Sequence, residues 1–333
     1  MQPPFEAIRA AIERNKTFYI TTHVGPDGDA VGPAIALQMA LHNAGKRAVY
    51  VSRDGVPQSS RFLRGHERVE LDVPIGQKFE CAFVLDCDGT PPRVASRMEP
   101  IENARERVLI DHHRTSQPIF ETNWLDPTKP ATAQMIYELL IALNFPITPD
   151  MAMGLLTGLS CDTGHFRFSN TTPECLRAAS HLVELGADIS LVAFKQFDER
   201  SFSSNKLLGV AMQKSQSEHD GELIYTALAM RDFQSIGTGD ESTENIVNFL
   251  RNVRGARMAI CLRERRDENG PHARISVRSE ESLRADLFCN EFGGGGHAAA
   301  AGCRQSGEFE VVIERVIKRA KQWIDEPHPP VSN

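Results

Sequence analysis

Short runs of almost wholly apolar residues alternate, along the first half of the chain, with longer stretches in which apolar positions recur every three or four residues. Thr17 to Thr22, Lys46 to Ser52, Cys81 to Asp86 and Val108 to Asp111 are β-branched or aromatic-rich and of strand length. The run from Cys81 has no polar alternation, as a strand buried on both faces requires. Helical periodicity covers residues 5–15, Ala34 to Ala44, Ala131 to Asn144 and Pro149 to Cys161. A further helix opens at Thr172-Pro173-Glu174, with a capping Thr, a Pro in the first turn and an early acid, and ends near Gly186. Strands alternating with helices predict an α/β fold built on a doubly wound, mostly parallel sheet.

The pattern changes near residue 195. Residues 195–220 are polar with Ser-rich patches and read as a connector, part helix and part flexible. Beyond it, Glu222 to Met230, Ala256 to Arg263 and Arg274 to Arg278 have strand character, the last two flanking a charged turn from Glu264 to Pro271. Thr243 to Val253, Leu283 to Asn290 and residues 310–324 read as helices, and the Pro-rich end as a loose tail. A chain of 333 residues exceeds one ordinary core. The expected plan is a catalytic-type domain over 1–194, a linker over 195–220, a smaller α/β domain over 221–326 and a tail over 327–333, with a cleft between the domains.

Composition narrows the function classes. A net charge of −7 supplies no broad basic field, so a long duplex is excluded as the main partner. A nucleic-acid partner would be short, or held locally by metal and a few arginines. The seven cysteines are odd in number, widely spaced and without a C-x-x-C pair, which argues for a reduced compartment and against a disulfide frame or zinc ribbon. The chain opens without a basic-then-apolar leader, and no apolar run reaches membrane-spanning length, so the cytoplasm is the expected location and no membrane the expected partner.

Acids and imidazoles end the apolar runs. His23, Asp27 and Asp29 follow the first strand, Asp86 the third, and Asp111-His112-His113 the fourth; Asp162 ends a helix. Open α/β sheets place their chemistry beyond the carboxyl ends of the strands. Taken singly, these residues have ordinary accounts, as turn residues or helix caps. Their recurrence at several strand ends is not explained that way. Carboxylates with some imidazole and no Cys suit Mn²⁺ or Mg²⁺ better than structural zinc. Several acids converging without cations would repel one another, and two divalent ions would relieve this and clamp a transferring phosphoryl group.

The motif H-x-x-P-D-x-D-x-x-G from His23, the strand-end Asp86, Asp111-His112-His113 and the later Asp162-Thr-Gly together resemble the four-motif pattern of the DHH phosphoesterase superfamily. Gly293 to His297 followed by Ala300-Ala301-Gly302 is similar to the glycine–histidine signature of the DHHA1 domain. The length and two-part plan most resemble the nanoRNase/pAp phosphatase group. The resemblance implies an N-terminal DHH domain and a C-terminal DHHA1 domain. It implies one ion on His23, Asp27 and Asp86, and a second on Asp29, Asp86, His112 and Asp162, with Asp86 shared. Mn²⁺ is the expected ion, with Mg²⁺ or Co²⁺ as alternatives. Asp111 would orient its neighbours and His113 would face the scissile phosphate. Gly25 and Pro33 depart from the family's usual residues at their positions.

On the substrate side, the resemblance assigns binding to His297, to the glycine run including Gly294, Gly295 and Gly296, and to Arg278. Four consecutive glycines let backbone N–H groups approach a phosphate or base, although a bare glycine run also makes a hinge. Arg167 and Arg278 offer planar, bidentate phosphate contacts. The implied activity is hydrolysis of dinucleotides and short single-stranded RNA or DNA, together with dephosphorylation of 3'-phosphoadenosine 5'-phosphate (pAp); a homodimer is the implied assembly. Two other readings stand beside it: a phosphodiesterase for linear or cyclic di-adenylates, and a non-catalytic nucleotide-binding module.

Overall fold

The computed structural model describes residues 3–239, 243, 245–268 and 270–330. The chain divides into two compact units between Glu199 and Arg200. In the first unit, α1 (Phe5–Arg14), β1 (Thr17–Thr21), α2 (Gly28–Asn43) and β2 (Arg47–Val51) are followed by β3 (Cys81–Leu85), α3 (Glu99–Glu102), β4 (Glu106–Asp111) and β5 (Thr122–Leu125). The helices α4 (Thr132–Ala142), α5 (Pro149–Asp162), α6 (Pro173–Glu184) and α7 (Ile189–Ala193) complete it.

The five strands are all parallel, in the order β2-β1-β3-β4-β5. Strand order therefore reverses between β1 and β3, the topological switch point at which such sheets open a crevice. Both sheet faces are covered, which is why the strands read as continuous apolar runs. Phe18, Ile20, Phe83, Leu85, Val108 and Ile110 pack on one face with α2, α4, α5 and α6. Tyr19, Val84 and Leu109 pack on the other with Val73, Phe79 and Ile101.

α2 starts at Gly28, six residues before the helix expected at Ala34. Gly28, Gly32 and Pro33 are poor helix formers, but Asp27 caps the helix, accepting from the N–H groups of Asp29 (2.9 Å) and Ala30 (3.1 Å). Asp29 thus lies in the first helical turn rather than in a loop. Gly32 has a packing role as well: a Cβ there would stand 2.1 Å from the carbonyl oxygen of Gly154, and one on Gly154 would stand 2.7 Å from that of Gly32. The backbones of α2 and α5 cross in direct contact.

The second unit holds α8 (Phe202–Gln213), β6 (Gln216–Glu218), β7 (Leu223–Leu228), α9 (Met230–Ile236), α10 (Ile246–Arg251), β8 (Met258–Asp267), β9 (Gly270–Ser279), α11 (Ala285–Asn290), β10 (Gly295–His297), β11 (Ala300–Ser306) and α12 (Phe309–Asp325). Its mixed sheet runs β10-β11-β9-β8-β7-β6, with β7 and β8 parallel and the other pairs antiparallel. Where a connector was expected, Leu207 and Ala211 of α8 are buried with Ile224, Phe233 and Ile246 in this unit's own core. The charged stretch expected as a long turn is mostly strand, because β8 continues to Asp267 and β9 resumes at Gly270. The amphipathic α12 covers the opposite face through Val316, Ile317 and Trp323. Among the described residues, no helix is long and apolar enough to cross a membrane.

Adding one methyl group at the helix crossing has nowhere to go but into backbone. Gly32→Ala is expected to destabilise the first unit by about 1–3 kcal/mol, the range of core overpacking, read as a lower urea midpoint. An unchanged midpoint would show that α2 and α5 separate without cost.

Candidate metal centre

β1, β3 and β4 are neighbours in the sheet, and each releases its site residues at its carboxyl end. His23 follows β1 and Asp86 follows β3 on either side of the switch point, while Asp111 closes β4 and leads into His112 and His113. The register Leu85↔Ile110 sets Asp86 beside Asp111, and the Asp86 N–H donates to Ile110 O at 3.0 Å. Asp86 adopts a left-handed backbone (φ 53°), a conformation that costs a non-glycine residue of order 1 kcal/mol and that turns the chain sharply off the strand. Asp27 and Asp29 arrive on the start of α2, and Asp162 on the last residue of α5.

These residues converge. His23, Asp27 and Asp86 form one group with donor atoms all within 4.8 Å of each other; Asp29, His112 and Asp162 form a second; Asp86, His112 and His113 a third. Asp86 is shared in a definite way. Its Oδ2 stands 3.3 Å from His23 Nε2 and its Oδ1 3.4 Å from His112 Nε2, one oxygen to each imidazole. His112 Nε2 also lies 3.1 Å from Asp162 Oδ2 and 3.8 Å from Asp29 Oδ2.

Both imidazoles are held in the orientation a metal ligand needs. His23 Nδ1 faces its own neighbour's carbonyl, Val24 O, at 2.9 Å, and His112 Nδ1 faces Lys129 O at 3.3 Å. A carbonyl only accepts, so in each ring Nδ1 carries a proton and Nε2 is the nitrogen turned toward the carboxylates, available to an ion once its own proton is lost. His112 Nε2 is buried, and despite three acids within 4 Å it has no well-aligned hydrogen-bond partner. Short distance without alignment is what a set of donors aimed at a common point produces, and the oxygen and imidazole donors suit a hard or borderline divalent ion.

The electrostatics agree. Burial and the neighbouring Asp162 and Asp86 charges push Asp29 well above the usual carboxylate range. Burial raises Asp162 to about 6, with the Asp27 and Asp86 charges adding and His112 opposing. Burial pulls the His112 imidazolium down, but its contacts with Asp162 and Asp86 outweigh this and carry it up to about 12; His23, likewise opposed by burial, is raised to about 9 by Asp86. Asp86, resisted by burial, is lowered by His112 and His23. The raised Asp29 and Asp162 mark a cluster whose negative charge calls for positive charge to balance it.

The supporting groups were not visible in the chain's motifs. Asp29 accepts from the backbone N–H groups of Thr132 (2.6 Å) and Ala133 (2.9 Å), the open N-terminus of α4. Thr132 Oγ1 donates to Asp86 Oδ1 at 3.0 Å. Asp111, fully buried, accepts from His113 Nδ1 at 2.7 Å and from the Ser116 hydroxyl. It therefore orients the His113 ring, while its charge, against burial, holds the imidazolium above its ordinary range. A Cβ on Gly158 would lie 2.5 Å from Asp29 Oδ1, so that glycine makes room for a ligand.

The remaining expected residues lie elsewhere. Arg167 is exposed, donates to Gly164 O at 2.6 Å and lies over the Phe197 ring. Arg278, on β9, donates to Asn248 Oδ1 at 2.9 Å and lines a recess of about 270 Å³ with Arg263, Thr243, Asn245, Cys261 and Ser276. Arg263 joins it by donating to Thr243 Oγ1 (2.8 Å) and Ser276 Oγ (2.9 Å). The glycine run is half a strand: Gly295 and Gly296 pair with Gly302 and Ala301. Cβ atoms on Gly294 and Gly296 would strike Gly302 O at 2.2 Å and Ala300 O at 2.5 Å, whereas one on Gly295 would meet nothing nearer than 3.5 Å. The backbone of His297 ends β10, and its side chain lies outside the described residues.

Two outcomes follow for metal binding. Each imidazole must lose its Nε2 proton to bind an ion, and Asp162 must be ionised. Affinity for Mn²⁺ is therefore expected to rise with pH from about 6 through about 9 and to go on rising toward about 12 as His112 gives up its proton, with proton release seen as buffer-dependent heat in calorimetry; a pH-independent affinity would contradict the donor set. Thr132→Val keeps the side chain's volume but removes its bond to Asp86, and should weaken Mn²⁺ binding by about 10–100-fold while leaving the thermal midpoint within a few degrees.

Comparison with known proteins matches these features. The model of the DHH family, N-terminal domain, covers residues 17–159, and that of the DHHA1 domain covers residues 220–326. The chain is 34% identical over 306 residues to the bifunctional oligoribonuclease and PAP phosphatase NrnA of Thermus thermophilus, covering 91% of this chain and 89% of that protein. Its fold is similar to that of an exopolyphosphatase-related protein from Bacteroides fragilis (TM-score 0.88, 21% identity, 97% of each chain). It is also similar to exonuclease RecJ bound to manganese (TM-score 0.54, 14% identity, 98% of this chain and 95% of the other). The strand-end acids and imidazoles, the switch-point crevice and the glycine-rich hairpin thus have one common explanation: the chain belongs to the DHH family of phosphoesterases and carries a DHHA1 domain in its second unit.

Proposed function

We propose that the protein is a divalent-metal-dependent phosphodiesterase that degrades dinucleotides and short oligoribonucleotides to mononucleotides and also removes the 3'-phosphate of pAp. The observation that carries this reading is the Asp86 carboxylate, which offers one oxygen to the His23 group and the other to the His112 group. His23, Asp27 and Asp86 would hold one ion, and Asp29, Asp86, His112 and Asp162 the other, with Mn²⁺ the expected metal. Bound there, the ions supply the positive charge that offsets charge developing on the phosphoryl oxygens.

Hydrolysis forms a bond from water oxygen to phosphorus and breaks the bond from phosphorus to the departing ribose oxygen, which must gain a proton. His113 is the donor we assign: Asp111 fixes its Nδ1 proton, raises its basicity and leaves Nε2 to carry the transferred one. In the second unit, Arg278 and Arg263 line a recess with Thr243, Asn245 and Ser276, and their planar guanidinium groups suit a nucleotide phosphate. Gly294, Gly295, Gly296 and His297 would bind the substrate's other end. A few such contacts recognise a short strand and give no purchase on long duplex. All seven cysteines are free thiols, which supports the cytoplasm as the working compartment.

The test is turnover by the purified protein with Mn²⁺ on an RNA dinucleotide, pAp, and linear and cyclic di-adenylates side by side. Mononucleotide release from the dinucleotide and phosphate release from pAp should be fastest. Faster di-adenylate cleavage would transfer the assignment to signalling nucleotides, and binding without turnover would make the chain a nucleotide-binding module. Asp86→Ala should lower kcat by about 10³-fold or more, since several kcal/mol of charge stabilisation is lost. Gly295→Ala has room in the fold, so its expected effect is a raised KM for the dinucleotide with the Mn²⁺ affinity unchanged; an unchanged KM would remove the glycine hairpin from the substrate site.

A further inference from the structure

One group of converging donors belongs to neither ion set. Asp27, Cys161 and Asp162 place two carboxylate oxygens and a sulfur within 4.8 Å of one another. Of the seven cysteines, only Cys161 stands in such a group among the described residues. Its neighbours fix it there. It precedes Asp162 in the last turn of α5 and is partly accessible. The Cys161 side chain packs against the N-terminus of α2 at Gly28. Gly28 leaves the space: a Cβ at that position would stand 3.1 Å from Cys161 Cβ. A thiol that served only packing would sit among apolar groups, as Cys81 does beside Phe18 and Phe83. This one faces charged oxygens.

We infer that Asp27, Cys161 and Asp162 form a third coordination position, selective for thiophilic divalent cations such as Zn²⁺, Cd²⁺ and Co²⁺, that competes with the catalytic ions because it borrows Asp27 and Asp162 from them. The inference rests on the reading of these acids as a divalent-ion centre. The chemistry is balanced without a redox step. The ion forms a bond to sulfur, the S–H bond breaks, and one proton goes to solvent. Hard ions such as Mn²⁺ and Mg²⁺ take the oxygen donors and leave the thiol protonated, whereas softer ions gain the sulfur. An enzyme run on Mn²⁺ would in this way be shut off by thiophilic ions through one acid drawn from each of its ion sets.

Cobalt distinguishes the two readings in one experiment on the full-length, metal-free protein. Titration with Co²⁺ should give visible ligand-field bands from the bound ion and a near-ultraviolet thiolate-to-cobalt charge-transfer band from the sulfur. Cys161→Ser should keep the ligand-field bands and lose the charge-transfer band. Ligand-field bands alone in the unaltered protein would overturn the sulfur site and leave the ion centre standing; no bands of either kind would overturn both. A charge-transfer band that survives in Cys161→Ser belongs to another thiol and overturns the proposal. A second measurement needs no variant. Cd²⁺ should slow iodoacetamide alkylation of Cys161, followed by peptide mapping, at least about tenfold more than Mn²⁺ does, in line with the loss a bound thiolate suffers as a nucleophile. Equal protection by the two ions would mean simple shielding and would overturn it.

Discussion

Four carboxylates cannot be packed round one buried point without something positive among them, and most of the first unit can be understood from that constraint. Asp29 and Asp86 are almost fully removed from solvent, and Asp162 is largely so. In such surroundings the repulsion between like charges is several times stronger than in water, and desolvation opposes each charge separately. The fold answers with fixed partners: the N-terminus of α4 on Asp29, the Thr132 hydroxyl on Asp86, and two imidazoles whose outer nitrogens are tied to carbonyls. Those partners orient the acids without neutralising them. The charge is left for cations or protons to balance, which is the state a site must be in to bind metal ions tightly and exchange them.

The same constraint explains the close helix crossing. Asp29 begins α2 and Asp162 ends α5, and both must reach His112. Only if the two helices touch backbone to backbone can both ends meet there, hence Gly32 against Gly154 and Gly158 against Asp29. Candidate donors drawn from three strand ends and two helix ends are then held by the packing of the whole unit. Such a site is well suited to phosphoryl chemistry, where geometry and charge supply most of the rate and the protein forms no bond to the substrate.

How much of this could be read from the chain depends on the range of the signal. The buried strands are local patterns, and the sheet they imply was legible, as were the acids and histidines at their ends. Four other strands were not. β5 and β6 are only four and three residues long, and β10 and the start of β11 are rich in Gly and Ala, residues with little strand propensity whose pairing is set by their partner. Thr132 was invisible because its reason for being there lies 46 residues away in Asp86, and Gly158 because its reason lies in a helix that starts 130 positions earlier. Cys161 was passed over because a thiol beside an acid in sequence says nothing about the second acid, Asp27, that the helix crossing brings to it. Arg167 is the converse case: its residue type and its place close to Asp162 were legible, and its packing over the Phe197 ring was not.

The glycine run carries the same lesson for the second unit. Read alone, four glycines suggest either a ligand cradle or a hinge. The structure separates the positions: Gly293 has a positive φ, and Gly294 and Gly296 are required because the β10–β11 hairpin lies too close to its own backbone for any side chain. These three are explained by folding. Gly295 is not, since it has neither a left-handed backbone nor a close neighbour. Its residue type has no explanation among the contacts of the described residues.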